Sequence, residues 1–499
     1  MTRPATADAG TAGTGPVPGS ARLPLLLLGT LLVTLPWTPA RILGWAVYAF
    51  VILPAPERGL PALAVWVSFF ELPAGTFQAG FTVKPAQGIA LLISLALAAR
   101  WTRLRTLPRA GAIERLAVAF LAWHLLSALA GPAPGTDLRL GANLVLACWT
   151  GLLVRQFDLT RAARSRILAA WGIGLVAGCL LLAILCARSM REGGWLHAIS
   201  RTSGAVEQTP HACFEGDIGT DPTHRAFSTY RFPLSVAVPV CFAGLVAQGG
   251  TRGAWGGLLA IAWTGSCALF CKSTWLAGLG GSLVACAVLA RPPHRGAVLC
   301  RGAWGGAMLA AIGVATALLL PYIRIEARKF LVPWNPSSTP IHVVSWPEEL
   351  RAGDPSEMGR LSWLGEIVYH LGSPRYLALR TCGAHLAAHP LFGLGAGSQL
   401  RAELGLPPHN LYIHVAVTAG IPAALLLIGI QAAYAIAFLR AARADPWASA
   451  AGLGLLAAWG IHSFFEVTYH AFLGWFLLSL LSIPCRDDQP EPAPDAHPR

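Results

Sequence analysis

Charge is scarce in this chain, and lysine is almost missing from it. Only 12% of the 499 residues are charged, about half the roughly 25% usual in soluble domains. Lys84, Lys272 and Lys329 are the only lysines among 37 basic residues, so arginine carries the net charge of +13. So little polar surface excludes a set of soluble domains. It also excludes a nucleic-acid-binding protein, which needs a basic face on a soluble fold. There is no Gly-Lys-Ser/Thr loop to cradle nucleotide phosphates and no His-Glu-x-x-His zinc helix. The eleven cysteines include no Cys-x-x-Cys pair, which removes the zinc-ribbon and thioredoxin-like patterns. Most, such as Cys148, Cys241 and Cys286, lie inside apolar runs and read as small hydrophobes.

What the chain has instead is hydrophobic length. Fifty-five per cent of its residues are hydrophobic and the mean hydropathy is +0.55. The fold class read from this is all-α, a polytopic transmembrane helical bundle, because helices satisfy their own backbone in lipid. Residues 1–21, rich in Ala, Gly, Thr and Pro, read as a disordered N-terminal tail. The run from Leu23 to Trp37 lacks a small-residue cleavage site and reads as an uncleaved first span. Further spans are predicted within 22–322, near 41–54, 60–72, 80–99, 113–130, 139–154, 166–187, 229–248, 254–270, 274–290 and 303–322. Three more lie within 411–485, near 411–438, 447–463 and 469–485. Several early runs are short for a bilayer core, so the count expected is about 12 to 14. Two long polar loops interrupt the pattern, at 188–228 and 323–410, and residues 486–499 read as a disordered cytoplasmic tail. In the segment 268–282, Gly278, Gly280, Gly281 and Ser282 favour tight helix packing.

Orientation follows from the short loops. One set contains Arg100, Arg103, Arg105 and Arg109, then Arg155, Arg161, Arg164 and Arg166, then Arg291, Arg295 and Arg301, then Arg440 and Arg443. The alternate set is nearly free of arginine. By the positive-inside rule the first set is cytoplasmic, both termini are inside and both long loops are extracytoplasmic. Trp37, Trp171, Trp255, Trp304 and Trp475 lie near predicted span ends and are expected at the membrane interfaces. Cys213 and Cys382 fall in the two outer loops. An oxidising compartment would permit a disulfide there, but the sequence does not supply the Cα spacing it needs.

The most patterned stretch is HPLFGLGAGSQLRAELGLPPHNLYIHVAVTAG, from His389 to Gly420. His-Pro followed by Gly393, Gly395 and Gly397 spells a turn-rich loop. Pro407 and Pro408 stiffen the backbone just before His409 and Asn410, at the outer mouth of a span. The ordered combination of HPLFGLGAGS, a spacer, PHN-x-Y and an apolar run opening near a glycine resembles the signature of the O-antigen ligase/polymerase family. The close resemblance covers roughly Arg375 to Ile428. One departure is visible: members often carry an acidic residue just before the glycine, where this chain has Thr418 and Ala419.

The resemblance implies a GT-C-type glycosyltransferase in the bacterial cytoplasmic membrane. Its donor would be a polyprenyl-diphosphate-linked glycan, and its acceptor a glycolipid or glycan hydroxyl. Basic residues in long outer loops need an account other than topology, and guanidinium groups suit a diphosphate because each can bond two oxygens. Arg375 lies fifteen residues before Pro390, an offset at which the family commonly has an arginine. Arg375 and Arg225 are the candidates for stabilising the leaving diphosphate, with Arg380, Arg231 and Lys272 as further substrate contacts. The competing account of each is a lipid-headgroup contact.

His409 is the candidate base for the acceptor hydroxyl, since imidazole titrates near neutral pH. Asn410 would orient the acceptor or the imidazole, and His414, one turn on, would share the site. Membrane lipids are the remaining partners. The outer-loop histidines have no metal-ligand spacing, and the ligase branch is described as metal-independent, so neither a metal nor another cofactor is expected. The alternatives are a transporter or flippase for an anionic lipid-linked glycan and, within the family, a protein O-oligosaccharyltransferase. The sequence leaves the sugar and the acceptor open.

Reporter fusions check the orientation. Fusions after Arg166, Arg301 and Arg443 should read cytoplasmic, and fusions near Gly216 and Gly353 should read external. A cytoplasmic reading at Gly353 would remove the outer-face site.

Overall fold

In a computed structural model the chain is described at residues 22–35, 37–68, 77–78, 82–203, 222–247, 251–268, 272–291, 295–319, 382–395, 410–464 and 472–485. These residues are almost entirely helical. The helices are α1 (Arg22–Thr34), α2 (Thr38–Ile52), α3 (Gly59–Ser68), α4 (Pro85–Leu104), α5 (Ala112–Ala130), α6 (Pro134–Val154) and α7 (Arg161–Ser203). They continue with α8 (Pro222–Ala247), α9 (Arg252–Ala268), α10 (Lys272–Leu289) and α11 (Arg295–Leu319). After a two-turn helix over 382–388 come α12 (Leu411–Ala419), α13 (Ile421–Ala441), α14 (Pro446–Ser463) and α15 (Phe472–Ser482). The only sheet among the described residues is a two-residue antiparallel ladder, Phe77↔Val83 and Gln78↔Thr82.

Prolines place several of these starts. α2, α4, α6, α13 and α14 each carry proline in the first turn, where its missing N–H would have had no helical partner. Gln87 Oε1 accepts from Lys84 N–H at 2.8 Å to cap α4. Asp445 Oδ1 accepts from Ala448 N–H at 3.1 Å to cap α14.

α5, the Arg161–Ile184 part of α7, the Arg295–Thr316 part of α11 and α13 are each long and apolar enough to cross a membrane. Large apolar side chains such as Leu180, Leu283, Val314 and Leu425 point outward. A belt of that kind suits lipid, and the chain is an all-α membrane protein. One contiguous core runs through the bundle. α8, α10 and α14 form its tightest group, and a Cβ on Gly281 would overlap the Gly454 carbonyl. The small-residue segment of α10 therefore packs closely, as its composition predicts. Tyr48 ties α1, α2 and α3 together, sharing a 2.7 Å bond with Thr30 Oγ1 and accepting from Trp66 Nε1 at 2.8 Å.

Several sequence boundaries move. The strand at 82–83 replaces the start of the span predicted at 80–99, and residues 69–72 of the span predicted at 60–72 lie outside the described residues. The polar interval 188–228 is helical at both edges, because α7 runs on to Ser203 and α8 starts at Pro222. The span predicted at 411–438 is broken at Gly420. Of the five expected interfacial tryptophans, Trp37 and Trp304 are exposed, but Trp171, Trp255 and Trp475 are buried in the core. Nearness to a helix end does not say which side of the helix a residue occupies, and these three face neighbouring helices. Cys148 and Cys241 are fully buried, as small hydrophobes should be.

Some of the short-loop arginines are held inside the bundle. Arg155 Nε donates to Glu114 Oε1 at 2.6 Å, with both side chains largely buried. The same guanidinium reaches Ser482 Oγ and stands over the Tyr434 ring, 5.9 Å from its centroid. Arg164 pairs with Asp445 and covers the Trp447 ring at 5.5 Å. Removing one member of such a pair strands the other charge. Arg155→Met should therefore cost about 3–5 kcal/mol, and adding Glu114→Gln should recover most of it. Denaturation of the two variants beside the parent checks this.

Candidate functional site

The site is built on an interrupted helix. α12 ends at Ala419, α13 begins at Ile421, and Gly420 between them has φ +86°. The interruption frees carbonyls that a continuous helix would have used, and in apolar surroundings each needs another donor. The loop 389–395 supplies them. Leu394 N–H donates to Val417 O at 2.8 Å, and Gly395 N–H donates to Thr418 O at 3.0 Å. In return Ile421 N–H donates to Pro390 O at 2.8 Å.

α5 braces both the loop and the helix break from one side. Trp123 Nε1 donates to Ala419 O at 3.0 Å and also lies 3.3 Å from Leu391 O. Its ring stacks on Phe392, with centroids 5.3 Å apart and planes 10° from parallel. Ser127 Oγ donates to Phe392 O at 2.6 Å and also lies 3.3 Å from Thr418 O. The corner between α5 and α6 completes the cradle with Asp137, a buried carboxylate in the first turn of α6. A Cβ on Gly395 would overlap that carboxylate.

Two glycines make the fit possible. A Cβ on Gly420 would overlap the Leu391 carbonyl, and one on Gly393 would overlap the Val417 carbonyl. Both backbones also lie in the left-handed region that side chains disfavour. Behind the loop, Cys382 and Leu394 pack with Val417 and Ile413. Burial pushes the Cys382 thiol up to about 11. Cys213 lies outside the described residues, and the Cys213–Cys382 pairing with it.

Asn410 opens α12. Its Oδ1 accepts from Tyr412 N–H at 3.0 Å and Ile413 N–H at 3.1 Å, the arrangement of an N-cap. Its Oδ1 therefore positions the helix that follows the Pro-Pro-His-Asn element. His414 is buried one turn further on, and Thr418 Oγ1 donates to its carbonyl at 2.7 Å. Tyr412 OH donates to Gln431 Oε1 at 2.9 Å, and its ring lies 5.9 Å from Phe464 at the end of α14. Two residues earlier, buried His462 meets Phe232 edge-on at 5.5 Å. Phe232 adjoins Arg231 on α8.

Near the end of α14, Phe464 thus meets the start of α12, and His462 meets the middle of α8. Arg225 and Arg231 lie on α8, and Lys272 opens α10 beside buried Ser273 and Thr274. The side chains of Arg225, Arg231 and Lys272, and the whole of Arg375, Arg380 and His409, lie outside the described residues. Sequence reasoning missed Trp123, Ser127, Asp137 and His462. Asp137, a lone acid at the start of an apolar run, was the one visible signal. Among the described residues no group of three or more His, Cys, Asp or Glu side chains converges. No protein-family model matches the chain, and no curated protein matches it significantly.

Gly420→Ala combines a carbonyl overlap with an unfavourable φ, so it should lower stability by at least about 1–3 kcal/mol. Trp123→Phe removes the donor to Ala419 O but keeps a ring, and should cost about 1 kcal/mol. Thermal unfolding in detergent measures both. A neutral Gly420→Ala variant would show that the break and the loop are not coupled.

Proposed function

We propose that this chain is a membrane glycosyltransferase of the O-antigen ligase/polymerase type. It has about 12 to 14 spans and an active site on the outer face of the bacterial cytoplasmic membrane. It transfers a glycan from a polyprenyl-diphosphate carrier to an acceptor hydroxyl. The observation that supports this most is the folding of the motif itself. Its first part, 389–395, is docked on its last part, 417–420, and Asn410 caps the helix between them. Asn410, the residue that follows His409 in sequence, belongs to a braced element, and this supports the reading because a catalytic group needs a fixed mounting.

In this reading His409 takes the proton from the acceptor hydroxyl as its oxygen attacks the anomeric carbon. The bond from that carbon to the diphosphate oxygen breaks, and the electron pair leaves with the diphosphate. Attack from the face opposite the leaving group inverts the anomeric configuration. Arg375 and Arg225 meet the charge that develops on the diphosphate; one well-placed group of this kind contributes about 3 kcal/mol. Arg380, Arg231 and Lys272 hold the donor. The Nδ2 amide of Asn410 and the ring of His414 contact the acceptor side. The acceptor is a lipid A core, the end of a growing polysaccharide or a protein Ser/Thr hydroxyl.

Turnover of a polyprenyl-diphosphate-linked glycan by purified protein tests this. His409→Ala should cost about 100-fold or more in rate per folded molecule, with donor affinity little changed. The parent rate should fall in acid, because an imidazolium cannot accept the hydroxyl proton. Arg375→Ala should abolish transfer, and Arg375→Lys should restore only part of it, having the charge without the two-pronged geometry. Near-normal rates for both His409→Ala and His409→Gln would overturn the assignment of the base. Donor binding without turnover by the parent protein would favour a transporter.

A further inference from the structure

A second site lies at the opposite end of α6. Asp137 in its first turn touches the glycine loop, whereas the other end of the helix opens onto a cleft of about 460 Å³. At 1.5 Å per residue the two lie about 30 Å apart. The cleft is bounded by the turn at Pro56–Arg58, the last two turns of α4, the connection to α5 and the residues just after α6.

Its walls are amphipathic. Trp101, Leu104 and Leu107, on the last turn of α4 and the connection that follows it, supply an apolar shelf. Leu104 is 54% exposed and Leu107 90%, so the shelf is open. Four charged residues complete the lining: Glu57, Arg100, Arg109 and Asp158. Arg109 and Asp158 neutralise each other in a 2.5 Å ion pair. Arg109 is fixed further by its N–H to Gln156 Oε1 at 2.8 Å and by Nη1 to Phe157 O at 3.3 Å. Arg100 and Glu57 form no ion pair among the described residues. They come from different walls, Arg100 from α4 and Glu57 from the turn packed against it.

We propose that this cleft binds the headgroup of a zwitterionic aminophospholipid of the phosphoethanolamine class. One unpaired cation and one unpaired anion complement a ligand that carries one of each. Arg100 suits the phosphodiester, because guanidinium bonds two of its oxygens. Glu57 suits the primary ammonium, which donates hydrogen bonds that a quaternary choline cannot. A phosphoglycerol headgroup has no cation for Glu57. The apolar shelf beside the charges selects a lipid over a soluble phosphoester, since it covers the first carbons of an acyl chain and Trp101 suits the interface.

The test uses the full chain, purified, stripped of lipid and offered phosphatidylethanolamine, phosphatidylcholine or phosphatidylglycerol in mixed micelles. Native mass spectrometry counts the lipids retained, and the thermal midpoint reports stabilisation. Phosphatidylethanolamine should be retained several-fold over the other two and should raise the midpoint most. Arg100→Ala should lose that retention. Glu57→Gln should lose the preference over phosphatidylglycerol while keeping the midpoint of the lipid-free protein. Soluble phosphoethanolamine should not compete at concentrations equal to the lipid. Equal retention of the three lipids would overturn the proposal. So would a parent preference for phosphatidylglycerol, a preference that survives both substitutions, or competition by soluble phosphoethanolamine.

Discussion

A helix can be interrupted inside apolar surroundings only if its freed carbonyls find other donors. That constraint organises the described part of this molecule around Gly420. The carbonyls of Val417, Thr418 and Ala419 are taken up by Leu394, Gly395 and Trp123, so loop, helix break and α5 stand or fall together. Ser127 joins the loop and the break through one hydroxyl. The arrangement holds the end of α12 still, and with it the Asn410 cap at the start of that helix.

Arginine performs two different tasks at the other end of the bundle. Arg155 and Arg164 are each paired with a carboxylate and laid over an aromatic ring. Lysine could supply the charge in these places but neither the flat face nor the forked donors. Arg100 and Arg109 instead line an open cleft. Counting arginines by loop treats all four alike, and burial separates them: Arg155 and Arg164 are largely buried with their partners, whereas Arg109, though paired with Asp158, is half exposed.

Asp137 shows how distant parts of the chain meet. Nothing near it in sequence points to Gly395, yet its carboxylate occupies the space that a side chain there would need. Its burial in the α5–α6 corner follows from how α5 and α6 pack against each other. His462 is a similar case. It looks like an ordinary residue of an apolar span until Phe232 and the end of α14 bring it beside the helix that carries Arg225 and Arg231.

The sequence by itself determined the class of fold, because backbone groups in lipid must be satisfied within helices and the apolar runs are long. The prolines that open α4, α6 and α14 act locally, but of the spans read from hydropathy, which began at 80, 139 and 447, only the last coincides with its helix start, at Pro446. The tight packing of Gly281 was legible, because small side chains permit close approach in almost any context. Only the tertiary structure decided which side each helix turns inward. Trp171 and Trp475 read as interfacial anchors and are core residues, because periodicity near a helix end does not name the neighbour. The break at Gly420 divides the same way. A glycine in an apolar run permits an interruption, but the donors that stabilise it come from residues 123 and 394–395, far away in the chain. Backbone satisfaction is a non-local condition there, and no window of sequence around Gly420 contains it.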